Sequence, residues 1–134
     1  MSTHNNFIPI NIAIVTISDT RILDNDKSGD VLEDRVLKSN HKIISREIVK
    51  DNFEEIYELF SNFINNEKID VIISTGGTGL TGRDITPEVM KKLFEKTIDG
   101  FGEMFRWLSY SKIGTSSMQS RALAGVSNGT YLFC

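Results

Sequence analysis

Apolar and polar positions follow two periods along the chain, and together they predict alternating strands and helices. Residues 11–17 are almost continuously apolar, which is typical of a strand covered on both faces of a parallel sheet. Two more strands are predicted over residues 43–49 and 69–74. Elsewhere, apolar residues recur at the spacing of a helix with one buried face, over residues 30–38 and 53–64 and from Pro87 onward. The alternation predicts an α/β fold of three layers, α/β/α, around a mostly parallel sheet.

The later segments complete a single domain. A further helix is predicted over residues 104–112, and a short helix or turn over residues 120–124. Apolar residues on both sides of Asn128-Gly129 predict a hairpin, because this dipeptide suits the tight turns that join antiparallel strands. We expect a flexible tail over residues 1–10 and one domain over residues 11–134. In the first predicted helix, the residues expected to face the core are Val31, Leu32, Val36 and Leu37.

Charge and composition exclude several classes of protein. The net charge is −3 and the isoelectric point is near 5.4, whereas nucleic-acid binding usually needs a basic face. Cys134 is the single cysteine, so no intrachain disulfide is possible. Residues 1–6 lack the basic start and apolar core of a signal peptide, and no apolar run approaches the roughly 20 residues of a membrane span. We expect a cytoplasmic protein with neither nucleic acid nor membrane as a partner. Aromatic residues expected in the core or in a subunit contact are Phe53, Phe60, Phe63 and Trp107.

The most informative stretch follows the third predicted strand. It contains four glycines within residues 76–82 and then Thr86 and Pro87, which favour the start of a helix. Backbone N–H groups can approach a ligand closely where side chains are so small, and a helix N-terminus adds a positive dipole. Ligands of parallel sheets bind beyond the carboxyl ends of the strands, where Ser18, Asp19 and Asp51 are also expected. The stretch therefore predicts a site for an anion.

Two familiar phosphate-binding motifs match this stretch poorly. Gly77 to Gly82 fits the G-x-G-x-x-G pattern of nicotinamide and flavin dinucleotide sites, but the helix signal comes late and two strands precede the motif. A Walker A loop would need Lys and Ser or Thr where Arg83 and Asp84 stand. The residues alone leave a dinucleotide site as a minor alternative.

Charged residues beside the glycines have more than one interpretation. Arg83 is placed to hold a phosphate and Asp84 a divalent cation, or the two form an ion pair that only fixes the loop. Asp51 starts a capping-box pattern with Glu54, so its simplest role is to cap a helix. It also faces the expected ligand crevice, where two carboxylates would suit Mg²⁺ carried by a nucleotide.

Residues between the first strand and the first helix are also ambiguous. Asp19, Asp26 and Lys27 are candidates for the same site, but a charged loop is more often simply solvated. We expect residues 21–29 to form an exposed loop. No histidine pair has the spacing of a zinc site.

Several short motifs together resemble a known family. The motifs are Ser18-Asp19 and residues 26–29, 74–79, 83–87, 100–103 and 120–122. Their order resembles that of the MoaB/MogA family of molybdenum cofactor biosynthesis, which includes the gephyrin G domain, and the resemblance is closest to MoaB. It covers nearly the whole chain from Asn11 onward.

The resemblance implies both a fold and an activity. The fold is the three-layer α/β domain of this family, which assembles as trimers or hexamers. Active members are molybdopterin adenylyltransferases, which join the terminal phosphate of molybdopterin to the α-phosphorus of ATP and release pyrophosphate. Others resembling MoaB are not all active, so a non-catalytic molybdopterin-binding or assembly protein of the same pathway is the alternative.

The resemblance also assigns residues. Asp51 and Asp84 match the catalytic aspartates of the family and are expected to hold Mg²⁺ through the nucleotide. Family members continue beyond residues 131–133 into a Pro-Gly loop and a closing helix, so we expect the domain to be incomplete at its C-terminal side. Residues expected to bind substrate or phosphate are Ser18, Asp19, Thr75, Gly76, Gly77, Thr78, Gly79, Arg83, Ser120 and Arg121.

Overall fold

A computed structural model describes residues 6–134, and within them it contains six strands, four α-helices and two short 3₁₀-helices. The strands are β1 (Asn11–Ile17), β2 (Lys42–Val49), β3 (Val71–Thr75), β4 (Lys96–Thr97), β5 (Ala124–Ser127) and β6 (Thr130–Phe133). The helices are α1 (Lys27–Lys38), α2 (Phe53–Ile64), α3 (Thr86–Leu93) and α4 (Asp99–Ile113), and the 3₁₀-helices are Leu23–Asn25 and Gly114–Gln119. The predicted α/β fold is confirmed.

The strands form one sheet in the order β2-β1-β3-β6-β5-β4. Four neighbouring strands, β2, β1, β3 and β6, run parallel, while β5 is antiparallel to both β6 and β4. β1 lies between β2 and β3, so the chain winds outward from it in both directions. At such a point the connections diverge to opposite faces and leave a crevice beyond the carboxyl ends of the strands.

The core lies on both faces of β1. Ala13, Val15 and Ile17 point to the face covered by α2 and α3, and Ile12 and Ile14 point to the face covered by α1. All five are buried, as the nearly continuous apolar run predicted. The α1 face is less fully covered, because an apolar cavity of about 690 Å³ lies between that helix and β6.

The start of α1 differs from the prediction. The helix begins at Lys27, three residues early, because the Asp26 side chain accepts the N–H of Gly29 at 3.1 Å. Asp26 is fully buried, and its carboxylate also accepts bonds from Thr16 Oγ1 at 2.7 Å and Arg46 Nη2 at 3.2 Å. Burial by itself would raise the pKa of Asp26, but these partners outweigh it and lower the pKa. The prediction that Asp26 lies in an exposed loop or in the ligand site is wrong, because its bonds are structural.

Two further predictions about helices are corrected. Val31 and Leu37 are 52% and 54% exposed, so only part of the expected apolar face of α1 is buried. α4 begins five residues early, at Asp99, and residues 120–123 are extended instead of forming a helix or turn. Trp107 on α4 is 74% exposed and belongs to no core formed by residues 6–134.

The predicted hairpin is confirmed. Asn128 and Gly129 join β5 to β6 with positive φ values of 48° and 78°, as a type I′ turn requires. β4 was not predicted, because its two residues are polar and exposed.

Part of the predicted tail lies within the described residues. The Phe7 ring lies 5.1 Å from the His41 ring, and the Ile10 N–H donates to His41 Nδ1 at 3.1 Å. Residues 1–5 lie outside the described part of the chain, and the division into tail and domain stays a prediction. Between Asn6 and Cys134, each helix is too short or too polar to cross a membrane.

Candidate active site

The carboxyl ends of β1, β2 and β3 bring the predicted site residues to one edge of the sheet. Ile17 pairs with Val49, and Thr16 pairs with Thr75. The residues that follow these strands therefore leave the sheet side by side. They include Ser18, Asp19, Asp51 and the loop of residues 76–85, which we call the glycine loop.

The glycine loop is packed tightly against β1. Gly76 and Gly77 have φ values of +96° and +69°, a region that residues with a Cβ rarely adopt. A Cβ on Gly76 would lie 2.3 Å from the Ile17 carbonyl oxygen. Thr86, fully buried at the start of α3, donates from Oγ1 to the Gly76 carbonyl and from its N–H to the Gly77 carbonyl, both at 3.1 Å. The glycines thus bring bare backbone to the edge of the sheet, and α3 starts only four residues after Gly82.

Asp51 does not cap α2. The cap is Asn52, whose side chain accepts the N–H of Glu55 at 3.1 Å, so the capping role predicted for Asp51 is wrong by one residue. The Asp51 N–H instead donates to Asp19 Oδ1 at 3.0 Å. This bond holds the Asp51 main chain and leaves its carboxylate free to face the glycine loop.

The Asp51 carboxylate is held at an energetic cost. Its Oδ1 atom is buried, and no group within residues 6–134 donates a hydrogen bond to it. This atom would lie 3.2 Å from a Cβ on Gly77, so it is directed at the loop. Burial raises the pKa of Asp51 and the negative charge of Asp84 raises it further, while a backbone hydrogen bond with Ile85 opposes both. A buried carboxylate oxygen without a donor is a mark of a functional site.

Asp84 lies in the same loop, close enough for its negative charge to raise the pKa of Asp51. Its Oδ2 accepts the N–H of Thr81 at 3.1 Å and Thr81 Oγ1 at 2.7 Å, which fixes the carboxylate within the loop. Arg83 forms its ion pair with Asp19 and not with Asp84. The fold therefore brings together the two aspartates predicted to be catalytic. The alternative prediction, an ion pair between Arg83 and Asp84, is wrong.

The carboxylate oxygens of Asp51 and Asp84 are ligands of the type that Mg²⁺ prefers. In the described part of the chain, no group of three or more His, Cys, Asp or Glu residues could hold a metal ion. Two carboxylates fit an ion that arrives with a nucleotide and keeps phosphate and water oxygens in its coordination shell. The Asp51 Oδ1 atom, which lacks a protein donor, is consistent with such an ion.

Ser18 and Arg121 make their bonds within the protein. Ser18 Oγ accepts the N–H groups of Thr20 and Arg21 at 3.3 and 3.2 Å, which shapes the turn that carries Asp19. Arg121 Nε donates to the Gly79 carbonyl at 2.7 Å, and its Nη1 pairs with Glu88. Substrate or phosphate binding by these residues stays a prediction.

A cavity of about 230 Å³ opens between the glycine loop and α4. Its lining is mostly apolar and includes the rings of Phe101, Phe105 and Phe133, whereas Asp51 and Asp84 do not line it. Cys134 also lines it, and burial raises the pKa of that thiol to about 11, so it is protonated at neutral pH and is no nucleophile. Predicted site residues that line the cavity are Thr75, Gly76, Thr78 and Ser120.

Some residues that shape the site were not predicted. Phe101 lies inside the motif at residues 100–103, and an aromatic residue in such a motif is the local signal for a ring that lines a site. Glu88 pairs with Arg121 from the first turn of α3. Its partner lies 33 residues away, and no local pattern marks such a pair.

Comparison with known proteins identifies the family of this chain. Residues 13–134 match the family model described as "Probable molybdopterin binding domain". Molybdenum cofactor biosynthesis protein B of Escherichia coli (strain K12) is 45% identical over 127 residues, which are 95% of this chain and 75% of that relative. A crystal structure of molybdenum cofactor biosynthesis protein B has a TM-score of 0.90 and 43% identity, covering 94% of this chain and 79% of that one. The tungsten cofactor synthesizing protein MoaB from Pyrococcus furiosus has a TM-score of 0.82 and 34% identity, covering 93% and 80% of the two chains. This chain therefore belongs to the MoaB/MogA family of molybdenum cofactor biosynthesis proteins.

Proposed function

We propose that this protein binds molybdopterin and adenylylates it with Mg-ATP, releasing pyrophosphate. The observation that carries the proposal is the buried Asp51 Oδ1 atom, which is directed at the glycine loop and is close enough to Asp84 to be affected by its charge. A protein keeps so costly a carboxylate where a ligand supplies the missing partner. The names of the E. coli and P. furiosus relatives support a role in cofactor biosynthesis, and the use of ATP rests on the site.

Each part of the site has a role in this reaction. Backbone N–H groups of the glycine loop and the N-terminus of α3 would bind a phosphate group. A terminal phosphate oxygen of molybdopterin would form a bond to the α-phosphorus of ATP, and the bond to the bridging β-phosphate oxygen would break, so that pyrophosphate leaves. Mg²⁺ bound with the nucleotide would neutralise polyphosphate charge, held by Asp51 and Asp84. Such reactions depend mainly on placement and electrostatics.

The substitution Asp84→Asn tests this proposal. Asparagine retains an oxygen that can accept the bonds from Thr81 but loses the charge that Mg²⁺ needs. We expect pyrophosphate release and adenylylated pterin from the wild-type protein, and a fall in kcat of about 10²–10³ for the variant. The matched control is Asp34→Asn on α1, where only an exposed pair with Lys38 is lost and turnover should not change.

Other outcomes have definite meanings. Saturable pterin binding by both proteins with no pyrophosphate from either would favour the non-catalytic binding or assembly role. No binding of molybdopterin or ATP by the wild-type protein would overturn the proposal.

Exposed apolar side chains on α4 and the following 3₁₀-helix support a homo-oligomer, trimer or hexamer, as part of this proposal. Several large apolar side chains lie there without cover from the described chain, and an exposed patch of this kind usually marks an interface. Trp107, at 74% exposure, is characteristic of the aromatic anchors found at such interfaces. The exposed side chains are Met104, Phe105, Trp107, Leu108, Tyr110, Ile113 and Met118.

We expect Trp107→Lys to dissociate the assembly, because a lysine ammonium group cannot be buried at an apolar contact without a partner. Sedimentation velocity should show a trimer or hexamer for the wild-type protein and a monomer for the variant. The control is Val31→Lys on α1, also exposed, which should leave the assembly intact. Because Trp107 is the single tryptophan, dilution of the wild-type protein should shift its fluorescence to longer wavelength as subunits separate. A wild-type monomer with unshifted emission at all concentrations would contradict the oligomer.

A further inference from the structure

Arg121 connects the extended segment before β5 to both ends of the glycine loop. Its main-chain N–H donates to the Thr78 carbonyl at 3.1 Å, and its Nε donates to the Gly79 carbonyl at 2.7 Å. Its Nη2 donates to the carbonyl of Asp84 itself. One residue, 37 to 43 positions away along the chain, therefore contacts the loop where it begins and where it presents the catalytic carboxylate.

The shape of the guanidinium group makes this contact specific. Its Nε–H and Nη2–H groups lie on one edge of a rigid plane, so the Gly79 and Asp84 carbonyl oxygens are held at a fixed separation. The third contact, from Nη1 to the Glu88 carboxylate, fixes the direction of that plane from the first turn of α3. Lysine would keep the charge but has no planar edge that could bridge two carbonyls.

Arg121 is itself held from α4. Arg106 Nη1 donates to the carbonyls of Ser120 and Ala122, at 2.9 and 3.2 Å, on either side of Arg121. Gly102 permits this contact, because a Cβ there would lie 2.5 Å from the Ala122 carbonyl. The segment that carries Arg121 is thus fixed before its side chain reaches the loop.

We propose that Arg121 is a positioning residue, which holds the glycine loop in the one conformation that presents Asp84 beside Asp51. The catalytic part of this inference rests on the proposed function; the hold on the loop does not. Three of the five N–H groups of the guanidinium already bind protein oxygens. The side chain therefore acts on the reaction through Asp84.

The test compares Arg121→Lys with Arg35→Lys, a matched change at an exposed arginine on α1. For Arg121→Lys we expect kcat to fall by about 10²-fold, the cost of a misplaced catalytic group, while KM for molybdopterin changes by less than about threefold. Arg35→Lys should match the wild-type protein. In Arg121→Ala, millimolar guanidinium should restore part of kcat, and ammonium at the same concentration should not.

Amide hydrogen exchange gives a readout that needs no turnover. Amides of residues 79–84 should exchange at least about tenfold faster in Arg121→Lys, while those of β1 and α2 keep their wild-type rates. If the wild-type protein has no transferase activity but the loop amides respond in this way, the proposed function fails and the hold of Arg121 on the loop stands.

Two results would overturn the inference. A large rise in KM with kcat unchanged and loop exchange unaltered would make Arg121 a direct phosphate ligand. Faster exchange throughout the protein, with a matching fall in Tm and no rescue by guanidinium, would make its role one of general stability.

Discussion

Replacing Asp51 by asparagine is expected to reduce adenylyl transfer by about 10²–10³ while making the folded protein slightly more stable. The activity falls because the carboxylate charge that would meet Mg²⁺ and the reacting phosphates is lost. The stability rises because Asp51 Oδ1 is buried with no donor from residues 6–134, and ionisation there is opposed by burial and by Asp84. Asparagine has nearly the same shape as aspartate but carries no charge. We expect the free energy of unfolding to rise by up to about 1 kcal/mol at pH 7.

The pH dependence of this gain has a definite sign. The pKa of Asp51 is raised in the folded state, so the folded protein holds that proton more tightly than the unfolded chain does. Wild-type stability relative to Asp51→Asn is therefore greatest below the unfolded pKa of about 3.9, and is lost as the pH rises through the raised folded pKa. Urea unfolding of both proteins at pH 7 and near pH 4 should show the difference shrinking at the lower pH.

The neighbouring residue supplies the control. Asn52 caps α2, so Asn52→Ala should cost about 1 kcal/mol of stability with turnover retained. The opposite pattern, in which Asp51→Asn loses stability and keeps its rate, would restore the capping role to Asp51 and remove it from the chemistry.

Gly76→Ala is expected to be the most destabilising single methyl group that can be added to the site. The new Cβ would lie 2.3 Å from the Ile17 carbonyl oxygen, and φ at this position is +96°. The positive φ costs roughly 1–2 kcal/mol. The steric overlap with the Ile17 carbonyl adds roughly 1–3 kcal/mol, because the central strand β1 is packed on both sides and cannot move away. We expect a loss of about 2–5 kcal/mol and no measurable transferase activity.

Gly82→Ala is the matched control within the same loop. Nothing lies within 4 Å of a Cβ there, so its stability should stay within about 0.5 kcal/mol of wild type. Thermal or urea unfolding of the two variants measures the difference directly. Equal melting points for both variants would show that the loop can adopt another path, and the close contact with β1 would then be dispensable.

The central architecture could be predicted because buried strands carry their own signal. Ile12 to Ile17 are apolar on both sides of the strand apart from Thr16. The helices on either face carry apolar residues at the helical spacing that buries one side against the sheet. Prediction failed where a residue's partners are distant in sequence. The polar neighbours of Asp26 predict a loop, whereas its burial depends on hydrogen bonds from Thr16 and Arg46.

The same limit applies to the site. The glycines and both aspartates could be predicted as site residues, because small residues and carboxylates at strand ends are local features of the sequence. The sequence indicated Asp51 as the cap of α2, whereas Asn52 forms it, because Asp and Asn are about equally suited to a cap position. The hydrogen bonds from Arg121 to the Gly79 and Asp84 carbonyls join residues that are 42 and 37 positions apart in the sequence. Only the fold brings those groups together.

The parallel pairing of β3 with β6 also affects how the chain is synthesised. Val71 lies beside Tyr131 in the finished sheet, and ribosomes add about 5–20 residues per second. The nascent chain therefore spends about 3–12 s with β3 already made and its partner not yet available. During that interval one edge of β3 offers open N–H and C=O groups to neighbouring polypeptides. An unpaired strand edge of this kind can pair with another chain, so the interval before β6 is made is a period of exposure to aggregation.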